Sequence, residues 1–183
     1  LFRSLETINL VLDRKIPLRA HAHRADDIMT AIRIAQEFNV DLVLDHCTEG
    51  HKIADLLQNY NYPAVVGPSL VNRAKVELKD RTFETPGVLA KAGLKVALMT
   101  DHSVTPIQYL PLCAALAVRS GMAEEDALKA ITIWAAEILG VAERIGSLEQ
   151  GKDADIVVWT GKPLSLEADA SVVLINGKIV KPE

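Results

Sequence analysis

The sequence predicts an α/β fold in which four successive βα units, half of a (β/α)8 barrel, are followed by a small β unit. Three observations carry this. From Ile16 onward, short apolar runs alternate with longer amphipathic ones, which is how strands and helices of a parallel sheet appear in sequence. Four such units can be counted, whereas a closed eight-stranded barrel takes about 250 residues. After Gly146 the texture changes to short β-type runs, with Asn176-Gly177 between two of them as a strong hairpin signal.

Each element has its own justification. Leu5 to Leu12 reads as the helix of a preceding βα unit. Residues 16–21, Ile-Pro-Leu-Arg-Ala-His, read as the first strand, and Ala25 to Phe38 as a helix with Ile28, Ala31, Ile32 and Ala35 along one face. Asp41 to His46 is the second strand and leads into a helix reaching Gln58. Tyr62 to Gly67 is the third, after which a long connection through Arg73, Glu77 and Arg81 reaches a short helix starting near Pro86. Lys95 to Thr100 is the fourth. Pro111 to Gly140 is rich in alanine and leucine and reads as helix, broken at Gly121 and restarted with Thr132 as N-cap. Ile156 to Trp159 and Val172 to Val180 supply the closing β unit.

Composition bounds the function. The chain has 183 residues, 49% of them hydrophobic, enough for one sizeable core. A net charge of -4 and a pI near 5.8 leave no basic stripe, so neither nucleic acid nor a membrane surface is an expected partner. Two cysteines, Cys47 and Cys113, form no disulfide framework, which points to a reducing, cytoplasmic location. No apolar run approaches the ~18 residues that span a bilayer. The opening residues, Leu1-Phe2-Arg3-Ser4-Leu5-Glu6, resemble neither a signal peptide nor a translation start, and the expectation is a chain cut from a longer protein.

In a parallel barrel the functional side chains project from the C-terminal ends of the strands, which here are His21, His46, Gly67 and Asp101. Two imidazoles and a carboxylate on separate strands are ligand types that zinc accepts, and the carboxylate can also take a proton from water that a metal has acidified. A lone histidine near a strand end is commonly a hydrogen-bonded structural residue, so the joint placement singles out His21, His46 and Asp101. His21 and His23 stand at i and i+2, roughly 6.6–7 Å apart on one strand face, which makes His23 a further candidate where the chain leaves the strand. His102 is a candidate substrate contact. His51, a turn into a helix, reads as solvated or packed. Arg73, Lys75, Glu77, Lys79, Asp80 and Arg81 form a mixed-charge run that reads as a solvated face, with an acidic or polar substrate as the alternative. Trp134 and Trp159 read as core, and Cys47 has no base partner that would make it a nucleophile.

These residues also carry a resemblance. Ala20-His21-Ala22-His23-Arg24-Ala25-Asp26-Asp27-Ile28, Leu44-Asp45-His46-Cys47 and Leu98-Met99-Thr100-Asp101-His102 resemble the later barrel strands of the amidohydrolase superfamily, in its imidazolonepropionase-like branch. The tail from Ile145 to Trp159 is similar to that family's return into a β-sandwich, and Val173 to Lys178 to its closing hairpin. The resemblance covers nearly the whole chain. It implies that residues 1–144 hold strands 5 to 8 of a TIM-like barrel and that residues 145–183 are the C-terminal segment of a composite β-sandwich domain. It further implies that His21 is the metal histidine of the fifth strand, His46 that of the sixth, and Asp101 the metal-binding general acid/base of the eighth. The family's first-strand His-x-His pair and its fourth-strand lysine or glutamate would lie upstream of Leu1. His21-Ala22-His23 is not that first-strand pair, because only three more βα units follow it, where seven would be required.

The resemblance thus implies a metal-dependent hydrolase of C–N bonds in an amide, cyclic amide or amidine, acting through metal-activated water. Asp101 and His46 would be catalytic, and His21, His46 and Asp101 would hold a divalent cation, with zinc favoured by the histidine-rich set. The expected partners are a small-molecule substrate, the missing N-terminal half of the same protein and, because unpaired strand edges invite pairing, a second copy of the chain. The chain by itself is expected to be inactive. Two alternatives stand beside this: an inactive half-barrel that self-associates, and a small-molecule binding module without metal.

Overall fold

The structure, a computed structural model, describes residues 2–180. Helix α1 (Phe2–Leu12) leads to a four-stranded parallel sheet of β1 (Leu18–Ala22), β2 (Leu42–His46), β3 (Ala64–Val66) and β4 (Val96–Leu98), side by side in chain order. Parallel neighbours need a crossover, and the chain supplies one after each strand. Helix α2 (Ala25–Glu37) follows β1 and turns Ile28, Ile32 and Ala35 inward at the i, i+4, i+7 spacing of one helix face, as the sequence pattern requires. After β2 the expected helix to Gln58 is replaced by a 3-10 turn (Gly50–Ile53) and a single turn of helix, α3 (Ala54–Leu57). After β3 comes α4 (Thr85–Lys91), with Pro86 in its first turn, where a missing N–H costs nothing.

The strands β3 and β4 are shorter than their apolar runs. Pro63 and Pro68 flank β3 and donate no hydrogen bond, so the ladder holds only Ala64 to Val66. The helical stretch after β4 is three helices, α5 (Leu110–Arg119), α6 (Glu124–Ala130) and α7 (Ile133–Ile138), with the first break at Gly121, whose φ is 103°. Thr132 does precede α7, yet its hydroxyl donates back to the Leu128 carbonyl at 2.6 Å and caps nothing.

Register aligns Leu44 with Ala64 and Val96, and Asp45 with Val65 and Ala97. Alternation then builds two apolar faces. Leu44, Ala64, Val66, Val96 and Leu98 pack against the helices with Ile28, Ile32, Leu89 and Ala114, while Val43, Val65 and Ala97 form a smaller cluster with Ile138 on the opposite face. On that second face Arg19 grips Asp45 with two hydrogen bonds, of 2.5 and 3.1 Å.

The closing unit is a three-stranded antiparallel sheet of β5 (Ile156–Trp159), β6 (Ala170–Ile175) and β7 (Lys178–Val180), in that order. Asn176 and Gly177 take φ of 49° and 73°, the left-handed pair that a two-residue hairpin turn demands, and Ile175 pairs with Lys178. Among the described residues, no helix is long and apolar enough to cross a membrane.

Candidate metal centre

The C-terminal ends of β1 and β2 bring three imidazoles together. His21 lies in β1, His23 just beyond its end, and His46 at the end of β2. One ring nitrogen from each falls within 4.8 Å of the others. The rings themselves interlock, His21 meeting His46 edge-on at 4.2 Å between centroids and His23 stacking on His46 at 4.4 Å. A tetrahedral ion with nitrogen ligands at about 2.1 Å would set those atoms roughly 3.4 Å apart, a contraction that side-chain rotation can supply.

Backbone geometry makes this possible. In a regular strand His46 would share the face of its register-mates Val66 and Leu98, against the helices. A left-handed φ of 70° at His46, followed by 47° at Cys47, breaks that alternation, and the imidazole meets His21 from the neighbouring row. The turn is held on β1: Cys47 N donates to the Ala22 carbonyl at 3.0 Å and Glu49 N to the His23 carbonyl at 2.8 Å.

Two of the three rings are oriented from behind. His46 Nδ1 donates to the Gly67 carbonyl at 2.7 Å, which fixes the tautomer that leaves Nε2 as a lone-pair donor. His23 Nδ1 pairs with the Thr48 hydroxyl at 2.7 Å. Burial, reinforced by the neighbouring His46, lowers His23 from 6.5 to about 4, and burial also lowers His46, although its bond to Gly67 opposes the shift. Both are therefore neutral at pH 7, the form in which imidazole binds a metal. The donor set and its second-sphere support fit a divalent cation.

Asp101 stands on the loop three residues beyond β4, exposed, with a left-handed φ of 50°. It is not in the convergent set of three, but its charge is felt at His46, where it favours the protonated form. His102, next to it, is exposed and accepts a hydrogen bond from Ile107 N at 3.3 Å through Nδ1. His51 pairs through Nδ1 with the Thr85 hydroxyl at 2.9 Å, a packing role. Cys47 is buried in the core, and burial pushes its thiol up to about 12, so it carries no nucleophile. The charged run is only partly a solvated face. Asp80 pairs with Lys52 at 2.6 Å, and Glu77 lies 3.8 Å from His23 and 3.5 Å from Lys75.

The sequence model of the Amidohydrolase family matches residues 3–181. The chain belongs to this family. Among solved structures, an amidohydrolase from Thermotoga maritima superposes with a TM-score of 0.91 at 51% identity over 96% of the amidohydrolase chain described here and 46% of its own. The imidazolonepropionase of Legionella pneumophila is 29% identical over 154 residues, 82% of this chain and 37% of that protein. The amidohydrolase tasK of Hapsidospora irregularis is 27% identical over 176 residues, 94% of this chain and 18% of that protein. The chain thus spans less than half the length of each of these relatives.

Proposed function

We propose that this chain is the C-terminal half of a metal-dependent hydrolase that cleaves a C–N bond in an amide, cyclic amide or amidine. Residues 1–144 would contribute strands 5 to 8 of a (β/α)8 barrel, and residues 145–183 part of a β-sandwich domain completed by the missing N-terminal half. The observation that carries the reading is the convergence of His21, His23 and His46 at the C-terminal ends of β1 and β2, where parallel barrels keep their active sites.

A divalent cation, with zinc favoured by the nitrogen-rich set, would supply Lewis acidity toward the scissile carbon and make water more acidic there. His21 and His46 would hold it, with Asp101 drawn in from the loop after β4. The chain's own chemistry is proton movement. Asp101 accepts a proton from the attacking water and returns it to the leaving nitrogen, so that the nitrogen departs as a neutral amine. His46, kept neutral by burial and aimed by Gly67, would present its Nε2 lone pair to the cation and so would not compete for that proton.

In the full-length, metal-replete protein, Asp101→Asn is expected to lower kcat by roughly 100- to 10,000-fold, with far-UV circular dichroism unchanged. Full activity in that variant would sink the assignment. Elemental analysis of the full-length protein and of this chain alone tests the divided site, which requires near-stoichiometric metal only in the former.

A further inference from the structure

Below the three imidazoles lies a charged pair that the hydrolase reading does not use. Leu18, Ala20 and Ala22 of β1 pack toward the helices, so alternation turns Arg19 and His21 to the opposite face of the sheet. On β2, Val43 belongs to that same opposite face, and Asp45 follows it at i+2. Register sets Asp45 directly beside His21, one strand spacing of about 4.8 Å away. A carboxylate in that place is a ligand type for any divalent cation held by His21 and His46, and its charge already reaches His46.

Asp45 nevertheless stands outside the convergent set of three imidazoles, and Arg19 accounts for this. Its Nη2 and Nε donate to the two carboxylate oxygens, at 2.5 and 3.1 Å, so both oxygens are engaged by one guanidinium. Arg19 stands two positions before His21, roughly 6.6 Å deeper along the strand. It therefore holds the carboxylate toward the interior, away from the strand ends where the imidazoles meet, and offsets its charge. The strands themselves are already aligned by five register pairs and by Leu42 and Leu44 in the core. What the ion pair adds is control of one carboxylate beside a metal centre.

We propose that Arg19 is a metal-specificity residue: by withholding Asp45 it keeps the centre rich in nitrogen ligands and favours zinc over harder, oxygen-preferring cations such as manganese(II). This inference rests on the reading of the imidazoles as a metal centre, and it is tested without turnover.

The test uses the full-length protein, stripped of metal and titrated separately with zinc and manganese(II) against a competing chelator at constant pH. The readout is the ratio of the two dissociation constants, because a variant that only loosens the fold weakens both. Arg19→Met, which keeps an apolar stem and removes the charge, is expected to shift the ratio toward manganese by roughly 10-fold. Adding Asp45→Asn to that variant should return the ratio to its original value, since the freed carboxylate is then gone. Arg19→Lys keeps the charge without the two-pronged grip and should shift the ratio by a smaller factor. If circular dichroism shows Arg19→Met to be unfolded, the Lys variant decides in its place. An unchanged ratio in the folded single variant, or a shift that persists once Asp45 is also replaced, would overturn the inference and leave the metal centre standing. Failure of the unsubstituted protein to bind either ion would overturn both.

Discussion

His23 is 6% exposed and stacked on another imidazole, so the folded chain resists protonating it until about pH 4, whereas an unfolded imidazole titrates near 6.5. Between those values the unfolded state binds a proton that the folded state refuses. Stability of the metal-free protein should therefore be level above about pH 7, fall as pH drops from 6.5 toward 4, and lose on the order of 3 kcal/mol from this group. Urea midpoints measured in chelator across that range check it: His23→Gln should flatten part of the slope, and a midpoint constant from pH 7 to 4.5 would contradict the burial argument. Gly67 makes a second demand at single-residue scale. Its φ is 147°, and a Cβ added there would lie 2.1 Å from the Met99 carbonyl oxygen. Gly67→Ala is expected to cost roughly 2–4 kcal/mol and, by moving the carbonyl that orients His46, to weaken metal affinity about 10- to 100-fold. At this scale the sequence was legible where spacing alone decides, as for His21 and His46 on successive strand ends. It was less legible for His23, whose place depends on how the chain turns after Ala22. The pairing inside the mixed-charge run was not legible, because only the folded chain reveals that Asp80 is taken by Lys52 and that Glu77 faces Lys75 and His23.

At the scale of elements, periodicity carries most of the information and local chemistry trims it. The apolar faces of α2 and of the four strands follow from spacing, and Leu44, fully buried in the central strand β2, depends on both neighbours and on the helices. Leu44→Ala should cost about 2–5 kcal/mol in a denaturant titration. Val157, 44% exposed on β5, makes the contrast: Val157→Thr is expected to stay within about 0.5 kcal/mol. The ends of elements were harder to read than their existence. Prolines 63 and 68 cut β3 to three residues, and the segment after His46 spends its first turns as a tight loop tied back to β1 before any helix begins. Apolar pattern cannot signal either event, since the first is a missing donor and the second a left-handed backbone at His46 and Cys47. The hairpin at Asn176-Gly177 was fully legible because those two residue types are themselves the backbone requirement.

For the molecule as a whole, the sheet has one face packed by helices and another only partly covered by α7, where the Arg19–Asp45 pair remains 40% and 19% exposed. Under the half-barrel proposal that face is lined by strands this chain does not contain. The chain alone should then self-associate in light scattering, and addition of the N-terminal half should convert it to a one-to-one complex that retains zinc through gel filtration. A monodisperse monomer unaffected by the other half would argue against the divided barrel. The bond from His46 to the Gly67 carbonyl extends this to folding. Ligands come from β1 and β2, but the group that aims one of them comes from the end of β3, so a slip of β3 by a single residue would leave His46 unaimed. The ion would then serve as a proofreader of strand order, retained only by chains whose three strands have settled in register, and misassembled copies would be recognisable by their failure to keep it.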